Sequence, residues 1–261
     1  MSHLIKIDDW IKNNTFDTNS YSDINELLKL KIIKSKSVAV IFPTLEEEVT
    51  IYNTLKCITD EKLDGLIDEL VVMDGGSKDN TENICKEFSQ VKFYNQHNIL
   101  NSFSNNKGKG DALWKSLYVT KSDIIIYVDS DIKNFTERFV TGILAPLLLR
   151  DDIKFCKGFY NRPYMPSKGI KSNEGGRVTE LCARPLLNTL YPNLSGFIQP
   201  LGGEYGGYRE VLENIEYTTG YGIEVQSLVE IYKKFGLNCM AQVNLIERQH
   251  RHQPINSLSK M

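Results

Sequence analysis

The chain has 261 residues, enough for one large domain or two subdomains sharing a sheet, with a sizeable core. Its composition (41% hydrophobic, 25% charged) is that of an ordinary soluble globular protein, and its net charge of -2 lacks the basic excess of a nucleic-acid binder. Five cysteines with no C-x-x-C pair point to reduced thiols, apolar runs such as ILAPLLL are too short to cross a membrane, and MSHLIKIDDW turns acidic too early for a signal peptide, so the sequence reads as soluble and cytoplasmic.

Residues 1–36 read as an N-terminal helical extension. In it SDINELLKLKIIK offers Ser22 or Asp23 as a cap ahead of apolar positions at helical spacing. The pattern then changes. SVAVIF (37–42) is a strand stopped by Pro43, and LEEEVTIYNTLKCI is a helix with an acidic first turn, as the helix dipole prefers. ELVVMD (69–74) is a second strand, followed by GGSKDN and a helix near 79–89. VKFY is a short third strand, GKGDALWKSLYV a helix opened by glycines, and DIIIYVDSD a fourth strand.

Strands alternating with helices predict an α/β fold with a Rossmann-like, mostly parallel sheet and helices on both faces. The strands are continuous apolar runs, as strands buried on both faces are. Ligands of such sheets bind beyond the carboxyl ends of the strands. PTLEEE, DGGSKDN and DSD all fall at those ends, so the three should converge on one crevice. From about residue 150 the chain is less regular and rich in glycine, with KGFYNRP, EGGRVTE, QPLGGEYGGYRE and TTGYGIE. The expected division is therefore a first part over 37–149 and a smaller second part over 150–261 that completes the cleft.

The chemistry-bearing residues follow from this layout. Asp129 and Asp131 stand two apart at a strand end, a spacing that puts both carboxylates on one side of extended backbone. Anions that close repel unless a cation joins them. A hard divalent ion bridging them to a diphosphate would do so, and a turn in which one Asp caps the next helix is the plainer alternative. Asp74-Gly75-Gly76-Ser77 also ends a strand, where glycines allow close backbone approach and Ser77 offers a hydroxyl; it is equally a strand-to-helix turn. Glu46, Glu47 and Glu48 are either a solvated helix turn or acceptors for a nucleobase N–H. Lys107 and Lys109, among glycines before a helix, suit phosphate on a flexible loop, although no P-loop spacing is present. Gly176, Arg177 and Thr179 combine free backbone N–H groups, a guanidinium and a hydroxyl, which suits a monophosphate or carboxylate. His250, after the strand-like MAQVNLI, could give nitrogen to a metal.

These pieces in this order resemble the GT-A glycosyltransferases. Within them GKGDALW, YVDSD, GGRVTELCARPLL, QPLGGEY, GYGIE and the R-x-H-R after AQVNL resemble the glucosyl-3-phosphoglycerate synthases, over roughly residues 37 to 255. The resemblance implies a retaining transfer of glucose from a nucleotide-sugar, UDP-glucose favoured, to 3-phosphoglycerate, aided by Mg²⁺ or Mn²⁺, in a homodimer. It implies Pro43, Leu45, Glu47 and Ser77 for the uridine and Lys109 for the diphosphate. Asp129, Ser130 and Asp131 would hold ribose, sugar and metal, with His250 completing the metal site. Gly176, Arg177 and Thr179 would take the acceptor, and Tyr221 and Glu224 the transferred sugar. The sequence departs from the family pattern at Glu46, Gly75 and His252. A mannosyl donor, a glycerate acceptor, and a non-catalytic nucleotide-sugar-binding protein are the competing readings.

Overall fold

A computed structural model describes residues 7–21, 23–102, 108–163, 176–220 and 222–249. Its N-terminal part comprises α1 (Ile7–Asn14), β1 (Thr15–Asp17), α2 (Ile24–Ile33), β2 (Val38–Thr44), α3 (Ile51–Ile58) and β3 (Glu69–Asp74). There follow α4 (Thr81–Lys86), β4 (Val91–Asn95), α5 (Lys109–Val119), β5 (Ile124–Tyr127) and α6 (Arg138–Leu149). The last third adds β6 (Phe155–Asn161), α7 (Arg184–Leu190), β7 (Tyr205–Tyr208), α8 (Arg209–Leu212), α9 (Ile223–Phe235) and β8 (Met240–Glu247).

All eight strands join one sheet in the order β1-β8-β6-β7-β5-β2-β3-β4. β2 pairs in parallel with both β3 and β5, and β4 continues the parallel run on β3. β7 runs antiparallel between β5 and β6. The apolar strands alternate even though both faces are covered. Val38, Val40 and Phe42 face one core with Ile51, Leu55, Phe139 and Leu144 from α3 and α6. Ala39 and Ile41 face the other, with Leu113 of α5 and Leu228 and Ile231 of α9. Because β2, β3 and β5 are parallel, their carboxyl ends lie on one edge, and the three polar clusters meet there.

The N-terminal segment differs from the helical expectation. It contains β1, which pairs in parallel with β8 through Thr15, Phe16 and Asp17. Trp10 reinforces the join: its indole N–H lies 3.1 Å from the carbonyls of both Leu237 and Met240. Three residues are too few to show strand periodicity. Asp23 is the cap of α2, accepting from the Asn25 N–H at 2.9 Å; Ser22 lies outside the described residues. The acidic turn at 46–48 is not helical. Glu46 has φ of +56°, and α3 starts only at Ile51. The region after 150 is regular where its glycines suggested otherwise, since TYR-GLY-GLY-TYR is the strand β7. A Cβ at Gly206 would stand 2.8 Å from the Ile125 carbonyl, so close packing against β5 demands the glycine.

Candidate active site

β5 releases the chain at Tyr127, and Asp129 and Asp131 follow at the edge where β2 and β3 also end. Two cations meet them. Lys109 is the first residue of α5, and its ammonium pairs with Asp129 and, at 2.7 Å, with Glu224 near the start of α9. Arg248 follows β8. Its Nη2 lies 3.0 Å from Asp129 and also bonds Asp131, so one guanidinium nitrogen serves both carboxylates. Its Nη1 lies 2.9 Å from Glu204 and donates to the Tyr160 hydroxyl at 2.8 Å, and that hydroxyl in turn donates to Glu204.

Burial and pairing set the protonation of this cluster. Burial alone would raise the Asp129 carboxyl, but Lys109 and Arg248 hold it well below the usual carboxylate range. Burial would likewise discharge Lys109 and Arg248; the surrounding carboxylates override it and keep both firmly charged. Glu204, fully buried, is pushed up by desolvation despite Arg248. Lys157 of β6 is buried behind the cluster, where desolvation lowers it to about 7. Its Nζ donates to the Gly202 carbonyl at 2.7 Å and sits 4.5 Å from the centre of the Tyr205 ring. The next residue, Gly203, lies so close to Asp129 that a Cβ would fall 2.2 Å from the carboxylate oxygen.

Beside this cluster the residues predicted for the base and ribose share one corner. The Ser130 hydroxyl donates to the Pro43 carbonyl at 3.0 Å. Thr50 ties the Ser130 carbonyl, at 2.8 Å, to the Glu47 carboxylate, at 3.1 Å. Ser77 donates to Asp74 and accepts from the Glu46 N–H at 2.8 Å, while Leu45 is exposed. Gly176, with φ of +85°, precedes a helical run that begins at Arg177 and passes through a π-helical stretch, Thr179–Ala183 with Thr179 buried, into α7. The predicted residues Tyr221 and His250, and with them Lys107 and His252, lie outside the described residues.

Lys109 requires a correction. It does not stand on a flexible loop; it is helical, largely buried and committed to two carboxylates. Four members of the cluster were not singled out from the sequence: Arg248, Glu204, Tyr160 and Lys157. Arg248 and Glu204 stood in the R-x-H-R and QPLGGEY motifs, and an arginine just beyond an apolar strand was the available signal. Among the described residues, no group of three or more His, Cys, Asp or Glu side chains is arranged to hold a metal ion. The donors present nevertheless fit a hard divalent ion. Asp131 offers carboxylate oxygen, and its side chain is 29% exposed, the most open of the carboxylates on Arg248.

A mostly parallel sheet with an aspartate pair at the end of a central strand, flanked within the sheet by an antiparallel strand that Glu204 precedes, defines a GT-A glycosyltransferase. Residues 39–164 match the family model described as glycosyl transferase family 2. A glucosyl-3-phosphoglycerate synthase of Petrotoga mobilis is 44% identical over 97% of this chain and 78% of its own length. The Mycobacterium tuberculosis glucosyl-3-phosphoglycerate synthase, solved with Mn²⁺, UDP-glucose and phosphoglyceric acid, superposes with a TM-score of 0.81 at 39% identity, over 90% of this chain and 78% of that one. A mannosyl-3-phosphoglycerate synthase from Rubrobacter xylanophilus superposes with a TM-score of 0.89 at 33% identity, over 97% and 79%. The chain belongs to the glucosyl-3-phosphoglycerate synthase family.

Proposed function

We propose that the chain transfers glucose from a nucleoside diphosphate glucose, UDP-glucose favoured, to 3-phosphoglycerate with retention at the anomeric carbon. The carrying observation is the Lys109–Asp129–Arg248 cluster at the end of β5, in a chain 44% identical to a protein of that name. In this reading 37–149 binds the donor and 150–261 the acceptor. Pro43, Leu45, Glu47 and Ser77 hold the uridine, Asp129 and Ser130 the ribose and sugar, and Gly176, Arg177 and Thr179 the phosphoglycerate. Asp131, with His250, holds a divalent metal, Mg²⁺ or Mn²⁺. When bound, that ion neutralises charge on the diphosphate.

Departure of the diphosphate develops negative charge, which Lys109 is placed to meet from the first turn of α5. Glu224 and Asp129 keep Lys109 charged, and in this reading Glu224, with Tyr221, takes the transferred sugar. A carboxylate there favours an oxocarbenium-like centre, as in glycoside hydrolysis. The acceptor hydroxyl attacks from the face the diphosphate leaves. Glucosylglycerate as the compatible solute made downstream, a homodimer and a cytoplasmic location belong to the same proposal. A mannosyl donor is the second reading, favoured by the closer superposition on the mannosyl enzyme. Incubation with UDP-, GDP- and ADP-linked glucose and mannose, 3-phosphoglycerate and Mn²⁺ or Mg²⁺, with products read by mass and anomeric NMR, tests both. Absence of a glucosyl product from every glucose donor refutes the first.

A further inference from the structure

Arg162 lies just past β6, where the strand leaves the sheet beside the cleft. Its Nη2 donates to the Tyr160 hydroxyl at 3.0 Å, and its guanidinium carbon stands 5.1 Å from the centre of the Tyr160 ring. Both partners are neutral at physiological pH, and burial pushes the Tyr160 phenol up to about 12. Among the described residues no carboxylate pairs with Arg162, and its buried Nε has no hydrogen-bond partner. Arg248, the guanidinium of the cluster, also has an unpartnered Nε, but it differs in meeting three carboxylates. A part-buried cation with an orphaned N–H is costly unless something anionic completes it.

The position says what would complete it. The side chain passes beside Gly176, at the start of the helical run that carries Arg177 and Thr179: a Cβ at Gly176 would lie 3.8 Å from Arg162 Cδ and 3.9 Å from Thr179 Cβ. On its other side the Tyr160 hydroxyl also accepts from Arg248, which carries Asp131. Arg162 therefore stands between the helix start at Gly176–Thr179 and the aspartate pair. Nε and an Nη of one guanidinium form a planar fork that matches two oxygens of a phosphate or carboxylate.

We infer that Arg162 is a specificity-determining residue that takes the anionic end of the acceptor on its Nε edge. The inference rests on the acceptor reading above and adds a guanidinium that the family motifs did not supply. Steady-state kinetics of Arg162→Gln and Arg162→Lys test it, with 3-phosphoglycerate and UDP-glucose varied in turn. Losing one charge-assisted contact should raise the KM for 3-phosphoglycerate in Arg162→Gln about tenfold to a hundredfold. The KM for UDP-glucose and kcat should stay within about twofold, since no donor group touches this side chain in the reading. Arg162→Lys should recover part of the loss, because an ammonium keeps the charge without the fork; if the glutamine variant fails to fold, the lysine variant carries the same KM test. An unchanged acceptor KM, or a donor KM that rises as much as the acceptor KM, overturns the assignment. A wild-type chain that forms no product from 3-phosphoglycerate sinks the acceptor reading and this inference with it. Product from the wild type with an unshifted KM in both variants sinks the inference alone.

Discussion

Replacing Arg248 by Met keeps most of the side-chain volume and removes the charge that joins Asp129, Asp131 and Glu204. The guanidinium side chain is 6% exposed, and Glu204 is fully buried, so the solvent that softens surface ion pairs is largely excluded. Breaking a buried pair by removing one partner costs roughly 3–5 kcal/mol, because the remaining charge stays desolvated and unpaired. Asp129 keeps Lys109, and Asp131 turns partly to water, which favours the lower end. For a chain of this size each kcal/mol moves Tm by about 2–4 °C, so Arg248→Met should melt roughly 6–15 °C below wild type at neutral pH. The pH dependence separates this from simple mispacking. In the wild type the Asp129 carboxyl is held below its unfolded value, so its contribution is present above about pH 4 and is lost only as pH falls through the folded value. Without the guanidinium that contribution shrinks, and Glu204, already pushed up by burial, takes up its proton at higher pH. The gap between the two proteins should therefore be full near pH 7.5 and narrow on acidification. Urea unfolding at pH 7.5 and 4.5 in metal-free buffer measures it. A variant within about 1 kcal/mol of wild type at pH 7.5, or a gap that does not change with pH, refutes the reasoning.

Gly203→Ala should cut kcat/KM by about a hundredfold while circular dichroism stays unchanged, because the new Cβ would lie 2.2 Å from Asp129 and must push it off Lys109 and Arg248; an active alanine variant would show that the approach is not required. Lys157→Met bears on the buried amine, which desolvation lowers to about 7. Between about pH 7 and 10.4 the unfolded wild type binds the extra proton, so wild-type stability relative to the variant should rise with pH across that window, and denaturant midpoints at pH 7 and 9.5 that move in parallel would contradict it. Chelation with EDTA should abolish turnover and a divalent ion should restore it, and Asp131→Asn should weaken Mn²⁺ uptake measured by the EPR signal of free Mn²⁺; full turnover after exhaustive dialysis into EDTA would exclude the metal reading.

The parallel half of the sheet was legible because its strands carry dense β-branched runs, and Val38–Phe42, Leu70–Met73 and Ile124–Tyr127 alternate between two covered faces. The polar clusters were legible for the same reason: parallel strands put Thr44, Asp74 and Val128 at one edge. What escaped was everything whose signal is tertiary. β7 lies in the stretch that reads as irregular and glycine-rich, because its glycines answer to the Ile125 and Lys154 carbonyls of its neighbours rather than to local propensity. β1 is three residues long and exists through β8, more than 220 residues away. Lys109 reads as a loop cation and Arg248 was not singled out, since nothing local tells that α5 and β8 both deliver a cation to Asp129 beyond β5.

The charge balance of the cluster says why an added cation is needed and where it would enter. Lys109 and Arg248 are the two cations bonded to Asp129, Asp131, Glu204 and Glu224, so two positive charges face four carboxyl groups, of which Glu204 is pushed toward its neutral form. Lys157, lowered to about 7, is only partly charged at neutral pH and donates to the Gly202 carbonyl. A nucleoside diphosphate brought to this edge meets cations that are already engaged, and its own charge adds to that of the carboxylates. Lys109 alone is therefore an insufficient counter-charge for the diphosphate. In the proposed reaction the further positive charge arrives with the donor, and Asp131 is the carboxylate we assign to it. Its side chain is the most exposed of the four, it has no contact with Lys109, and its bond to Arg248 can pass to the incoming ion while Asp129 and Glu204 keep the guanidinium in place.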